Sequence, residues 1–366
     1  MSSNGKTNNK KNKNNTKSKS QNSKEQLEQE ILSPEASAKA TKRMSNRERL
    51  RAFLSLFKRE DHVLINIVAD PDAMASAMAI KRILARRVEE ITIGHVNEIK
   101  RVNNLAMIQF LKIPLQRLRT FKKDKFNKFV LVDSQPVHNP ELARFKYDAV
   151  IDHHPITTGW DAPFVDIRND YGATASMLTE YLRAANIKPS VALATALFYA
   201  IKTDTQNFVK KATAQDVFCF QYLFKRINQN LLRRIENADI RKSELKYFKI
   251  AFDAMKISKN RIYAHLGKVA NPDILVVVAD FFTHVHEIGW VFISGIYGEK
   301  LVVIFRCDGY KKDAGKLAQR LFGKVGSAGG HRQSARAEVP LKNLDGHLVS
   351  HFSTRTLQRL TKKHLT

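Results

Sequence analysis

Cysteine is nearly absent: the 366 residues hold two, Cys219 and Cys307, each set in an apolar run. That excludes a disulfide framework, and with no CxxC pair a cysteine zinc site has no support. Buried free thiols are the expected state. Long hydrophobic runs are also missing. None approaches the roughly 18 residues that suggest a bilayer span, so no membrane insertion is expected. The first residues lack the apolar stretch of a secretory signal, which makes the cytoplasm the expected compartment. Negative charge is scarce as well. Sixty-two Lys and Arg face 35 Asp and Glu, a net charge of +27. Such a surplus concentrates polyanions such as nucleic acid, polyphosphate or an anionic membrane face. It also describes a solvated basic surface with a basic tail, and it is silent about fold.

What is present suffices for real cores, since 43% of the residues are hydrophobic. The length suggests two domains or three. Residues 1–24 contain seven lysines and no acid. Such a segment cannot offset its ordering entropy by burial, so it reads as a disordered basic tail able to hold nucleic acid loosely. Residues 25–60 read as a helical extension. Ser45-Asn46-Arg47-Glu48 fits a capping box, followed by Leu50, Phe53, Leu54 and Phe57 at helical spacing. From His62 short apolar runs (VLINIV, EITIGHV, FVLVDS, DAVIDHH) alternate with helical segments. That alternation predicts an α/β domain with a parallel sheet over 61–240. Residues 173–187 and 189–202 read as helices, the second ending at Thr203-Asp204-Thr205, and more helices fill 212–257, including a linker at 241–258. A smaller α/β domain is expected over 259–366. There ILVVVADFF, WVFISGIYG and LVVIFRCDG read as strands, 312–322 as a helix, and Gly323 to His331 as a glycine-rich turn.

Functional groups on parallel sheets gather at the carboxyl ends of the strands. Asp70, Asp72, Asp133, Asp152, His153 and His154 all fall at such predicted ends. Asp72, Asp133, His153 and Asp204, if brought together from separate strand ends, form an oxygen-rich set with one imidazole. That set suits Mn²⁺ or Mg²⁺. Two such ions about 3.5–4 Å apart can clamp a phosphoryl group and activate water. Each residue also has a plainer reading. Asp72 begins a helix and could only cap it, and Asp133-Ser134 could be a turn. Asp152-His153-His154-Pro155 is harder to explain structurally, because three ionisable residues after DAVI bring at least one charge toward the core. His95, His284 and His286 read as hydrogen-bonded or solvated side chains, the last two alternating on a strand.

Asp152-His153-His154-Pro155 after an apolar strand resembles the signature of the DHH phosphoesterases, and other blocks resemble that family in order. They are Pro71-Asp72 with Ala75-Ser76-Ala77, Val130-Leu131-Val132-Asp133, Gly172-Ala173-Thr174-Ala175, and Thr203-Asp204-Thr205. Gly329-Gly330-His331-Arg332, preceded by Arg306, resembles the C-terminal DHHA1 domain. The resemblance spans about residues 60–345 and is similar to the oligoribonuclease and phosphoadenosine phosphate phosphatase branch. It implies that Asp133 bridges two Mn²⁺ (or Mg²⁺) ions, that Asp72 binds one, and that His153 and Asp204 bind the other. It implies that His154 contacts the scissile phosphate or protonates the leaving group, and that Asp152 orients the histidines. Arg306, Gly329, Gly330, His331 and Arg332 would hold a non-scissile phosphate or terminal nucleotide, with substrate in a cleft between the domains. A glycine-rich turn leading into a helix would suit that anion.

The family's first motif usually reads His-x-x-Pro-Asp-x-Asp, and here Val68 and Met74 stand at two ligand positions. Neither is a plausible ligand for a hard ion. Asp70 offers a shifted acidic pair, Asp70-Pro71-Asp72, and a single-metal site is the other outcome. Two functions follow. One is a metal-dependent phosphoesterase hydrolysing a small nucleotide or short oligonucleotide, with a homodimer as a further expectation. The other, suggested by Val68 and Met74, is a catalytically degenerate nucleotide- or RNA-binding protein on the same scaffold.

Overall fold

The computed structural model describes residues 34–120, 125–209, 212–310, 312–344 and 352–362. The expected basic tail, 1–24, lies outside them. The chain divides into two compact units, Met1–Ala238 and Asp239–Thr366.

Among the described residues the first unit begins with α1 (Pro34–Lys42) and α2 (Asn46–Leu54). Ser45 caps α2 as its motif predicts: the Ser45 hydroxyl accepts from Glu48 N, and the Glu48 carboxylate accepts from Ser45 N. Leu50 and Phe53 are buried, and Leu54 and Phe57 pack beside them, so the apolar stripe docks on the main core. Then follow β1 (His62–Ile67), α3 (Pro71–Leu84), β2 (Glu90–His95), α4 (Val102–Leu111) and β3 (Leu115–Arg117). After them come β4 (Lys128–Val132), β5 (Ala149–Asp152) and β6 (Phe164–Ile167). Four helices complete the unit: α5 (Thr174–Ala184), α6 (Val191–Asp204), α7 (Ala214–Phe224) and α8 (Gln229–Glu236).

All six strands are parallel, in the order β3-β2-β1-β4-β5-β6. Alternate residues of a strand face opposite sides of the sheet. Val130 and Val132 accordingly join one apolar cluster with α3, α5 and α6, while Leu131 joins another with Val150 and Val165. Burial on both faces is why these strands read as continuous apolar runs. The strand order reverses direction between β1 and β4. At such a point the outgoing connections diverge and leave a crevice at the carboxyl ends. Asp70 and Asp72 follow β1, and Asp133 follows β4 directly.

The second unit contains α9 (Leu245–Ala254), β7 (Lys256–Ile257), β8 (Arg261–Lys268), α10 (Asp273–Phe282), β9 (Trp290–Tyr297) and β10 (Lys300–Cys307). It ends with α11 (Ala314–Phe322), β11 (Ser327–Gly330), β12 (Ser334–Pro340) and α12 (Thr354–Lys362). Its sheet runs β11-β12-β10-β9-β8-β7, with β8 and β9 parallel and the other pairs antiparallel.

Two readings of this unit are corrected. ILVVVADFF is the helix α10, not a strand. Its valines suggest β structure, but Ile274, Leu275, Val278, Ala279 and Phe282 are the buried ones, a helical stripe. His284 and His286 consequently lie in the turns after that helix, not on a strand. The glycine-rich stretch leads into no helix. Ser327–Gly330 is an edge strand paired with β12. Gly330 is required there: its φ is +147°, and a Cβ would stand 2.4 Å from Ser334 O.

Candidate metal centre

α3 starts immediately after Asp70, whose carboxylate accepts from Ala73 N at 2.9 Å and caps the helix. Asp72, one residue into that helix, does not cap it. It turns into the core, 2% exposed, and its two oxygens accept from Thr174 N and Ala175 N, each at 2.7 Å. These are free amides of the first turn of α5, whose own N-cap, Ala173, has no side chain to offer. Asp133 leaves β4 with φ +60°, a left-handed conformation uncommon outside glycine. Its Oδ1 accepts from the Thr174 hydroxyl at 2.8 Å. Asp204 closes α6, at the helix end where the sequence placed it, so the set is not drawn from strand ends alone.

His153 joins these carboxylates. Its Nε2 lies 3.3 Å from Asp204 Oδ2, 3.6 Å from Asp133 Oδ1 and 4.0 Å from Asp72 Oδ2. Its Nδ1 faces the Tyr171 carbonyl at 3.3 Å. A carbonyl can only accept, so it favours the proton on Nδ1 and leaves the Nε2 lone pair toward the acids. Asp72, His153 and Asp204, or alternatively Asp133, His153 and His154, can offer ligand atoms to an ion.

Asp152 is fully buried and already satisfied. Oδ1 accepts from His153 N at 2.9 Å and pairs with His154 Nδ1 at 2.8 Å, while Oδ2 accepts from Gln135 Nε2 at 2.7 Å. It orients its neighbours and has little left for a metal. His154 is half exposed.

The electrostatics point the same way. Burial pushes the Asp72 carboxyl well above the usual range, and Asp204 and Asp70 add repulsion. Burial also lifts Asp133 well above it, with Asp72, Asp70 and Asp152 contributing. Asp70 is raised too, by burial first and by Asp204. For Asp152 burial also acts upward, but the His154 contact and the Gln135 amide outweigh it and the carboxyl ends below its ordinary value. The hydrogen bond to Asp152 raises His154, against its burial. Crowded buried carboxylates with one imidazole between them are poorly neutralised by the protein alone, and a divalent cation fits that donor set.

Val68 and Met74, read as vacated ligand positions, are packing residues. Met74 is fully buried in the main core, and Val68 packs on the cluster around Leu131 and Tyr147. Asp70, read as a possible compensating ligand, uses one carboxylate oxygen to cap α3.

In the second unit Arg306, the penultimate residue of β10, lies opposite Ser334, and Cys307 N donates to Gln333 O, so Arg306 lies at the same sheet end as the turn holding His331 and Arg332. Arg306 Nε donates to Asp280 Oδ1 at 2.6 Å. His331 and Arg332 are exposed, while Gly329 and Gly330 are strand residues whose ladder partners are Arg336 and Ala335. His95 behaves as the plain reading holds, its Nδ1 2.8 Å from Asn97 O.

Sequence reasoning gave no role to Thr174, to the Tyr171 carbonyl, or to Gln135. Gln135 also accepts at Oε1 from Thr157 N and its hydroxyl, tying Asp152 to the loop after the histidines. Nothing local marks such residues, because their partners are distant in the chain.

Residues 62–201 match the family model described as DHH family, N-terminal domain. An uncharacterized protein of Methanocaldococcus jannaschii is 33% identical over 280 residues, which cover 76% of this chain and 58% of that protein. An A-adding tRNA nucleotidyltransferase of Geobacter sulfurreducens is 22% identical over 298 residues, 76% of this chain and 32% of that protein. The chain thus spans less than two thirds of the length of either relative. The crystal structure of an exopolyphosphatase-related protein from Bacteroides fragilis superposes with a TM-score of 0.61 at 14% identity, covering 87% of this chain and 96% of that one. At that identity the likeness is one of fold.

Proposed function

We propose, from the match of residues 62–201 to the DHH family N-terminal domain model, that the chain is a metal-dependent phosphoesterase acting on a small nucleotide or short oligonucleotide. The observation that carries this reading is the position of His153 Nε2, within 4.0 Å of oxygens of Asp72, Asp133 and Asp204 while Nδ1 meets a carbonyl. Asp72, Asp133, His153 and Asp204 would hold one or two Mn²⁺ or Mg²⁺ ions, with Asp70 beside them. When bound, such ions supply Lewis acidity toward a phosphoryl oxygen and a more acidic water.

The chain's own groups do the rest. Asp152 holds the His154 ring through Nδ1, leaving Nε2 to pass a proton to the departing oxygen. Thr174 fixes one oxygen of Asp133, and the first-turn amides of α5 fix Asp72. In the second unit we assign a DHHA1-like role to the Arg306 end of the sheet. Arg306, His331, Arg332 and the backbone at Gly329 and Gly330 would contact a non-scissile phosphate. The surplus of positive charge and the tRNA named for one relative favour an RNA fragment as substrate. The degenerate-binder reading rests on Val68 and Met74, which pack against or inside cores and supply no ligand, and metal-free ligand binding without hydrolysis would favour it.

The test is hydrolysis of short RNA oligomers, linear dinucleotides, 3′-phosphoadenosine 5′-phosphate and polyphosphate, with Mn²⁺ or with excess chelator. Mn²⁺-dependent cleavage of one substrate, reduced about 10²-fold or more in His154→Ala, is expected. Inactivity on the whole panel, despite Mn²⁺ bound as shown by calorimetry, would overturn the proposal.

A further inference from the structure

α5 and α7 pack together in the first unit. An open depression of about 620 Å³ lies along them, lined in part by Arg183, Phe218, Tyr222, Lys225 and Arg226. No carboxylate pairs with any of these three cations among the described residues. The Arg183 and Arg226 guanidinium groups lie 5.2 and 4.4 Å from the centre of the Tyr222 ring. Arg226 also donates to the Tyr222 carbonyl at 2.9 Å, so its head is held in place. Phe218, in the middle of α7, is 60% exposed. The one carboxylate of the lining, Glu180, is already committed: it accepts from buried Arg168 at 2.7 Å and from the Tyr171 hydroxyl at 3.1 Å. The depression therefore presents uncompensated positive charge beside exposed aromatic surface.

That combination matches one ligand chemistry. Phosphates seek Arg and Lys, while bases stack on aromatic rings and on guanidinium planes. An acidic protein surface would use the cations and leave Phe218 without a planar partner. We propose that this depression binds single-stranded nucleic acid, with phosphates on Arg183, Lys225 and Arg226 and a base against Phe218. The site is separate from the acidic cluster but shares a helix with it. Thr174 opens α5 at the cluster, and Arg183 follows nine residues later, about 13 Å along the axis at about 1.5 Å per residue. Binding here needs no metal, so it can be measured apart from hydrolysis.

The experiment uses the full chain in chelator with a short fluorescein-labelled single-stranded RNA, following anisotropy over a range of salt. Arg183→Gln combined with Arg226→Gln is expected to raise Kd about 10-fold or more and to lower the log–log salt slope by about 1.4, or about 0.7 for each lost phosphate contact. Phe218→Ala is expected to raise Kd roughly 5- to 10-fold with the slope unchanged. Arg47→Gln with Arg51→Gln, an equal charge loss at exposed positions of α2, serves as the control. Equal weakening by the control pair would reduce the effect to bulk charge and overturn the site. Unchanged Kd in Phe218→Ala and the Arg pair, both melting like the parent, would do the same. So would a parent dimer that Phe218→Ala converts to monomer without loss of RNA affinity, since a second copy would then own this face. None of these outcomes depends on whether the metal centre hydrolyses anything.

Discussion

Asp133 combines two unfavourable conditions, a left-handed backbone and a buried carboxylate among other carboxylates. Such features survive where function requires them. Asparagine tolerates the same φ and keeps the shape, but it removes the charge. Asp133→Asn should therefore melt about 2–4 °C higher than the parent in chelator, near 1 kcal/mol for a unit of this size. It should also lose the rise in Tm that Mn²⁺ gives the parent. A variant that is destabilised in chelator and still stabilised by Mn²⁺ would refute the assignment. The pH dependence carries the matching sign. Asp72 and Asp133 are raised in the fold above their unfolded values, so the contribution of these two groups to metal-free stability is greatest below the ordinary carboxylate range. It falls as pH rises through their folded values. Scanning calorimetry of chelated protein from acid to neutral pH reads this directly.

At the scale of elements, the proposed metal centre is assembled from the ends of secondary structures, and its rigidity comes from how those ends bind one another. The first turn of α5 is capped by Asp72 from α3, its Thr174 reaches Asp133 after β4, and the loop before it supplies the Tyr171 carbonyl to His153. That loop is itself braced. Arg168 forks onto both oxygens of Asp166 and reaches Glu180, and Gly172 N donates to buried Asp216 at the head of α7. Thr174→Val keeps the volume and removes the hydroxyl. Loss of such an outer partner costs about 10- to 100-fold in metal affinity. Calorimetric titration should show that loss in Mn²⁺ affinity with the fold retained. An unchanged affinity would mean that Asp133 needs no fixing.

For the molecule as a whole, two units with separate cores should respond to separate ligands and protons. The carboxylate cluster lies in the first. The second contains His265, which burial lowers to about 4 and whose Nδ1 sits 2.9 Å from the Ser294 hydroxyl. The unfolded state binds this proton near pH 6.5, so stability of the second unit falls as pH drops from there toward 4. Calorimetry should resolve two transitions, with Mn²⁺ raising one and mild acid lowering the other. His265→Gln should flatten the acid response of the second alone. A single transition that follows both Mn²⁺ and His265 would show instead that the units unfold as one.

Much of this was legible in the linear chain, because it depends on short-range pattern. Apolar runs that end in Asp or His marked β1, β4 and β5 with their functional ends, and the Ser45 box marked α2. Those signals arise from strand burial and from cap chemistry, which act within a few residues. Where short-range pattern misled, packing had decided. The valines of α10 became helical because one stripe of them meets a core, and Gly329-Gly330 became an edge strand because β12 supplied its hydrogen bonds. Met74 supplies no ligand, as its thioether implied, and the structure adds that its side chain fills the core. Thr174 and Gln135 carry no local mark, since their partners lie 41 and 17 residues away. The sequence by itself determined which residues carry charge and which elements bear them. Only the tertiary structure decided which carboxylates meet, because that follows from where strand order reverses and which helix ends are left needing a partner.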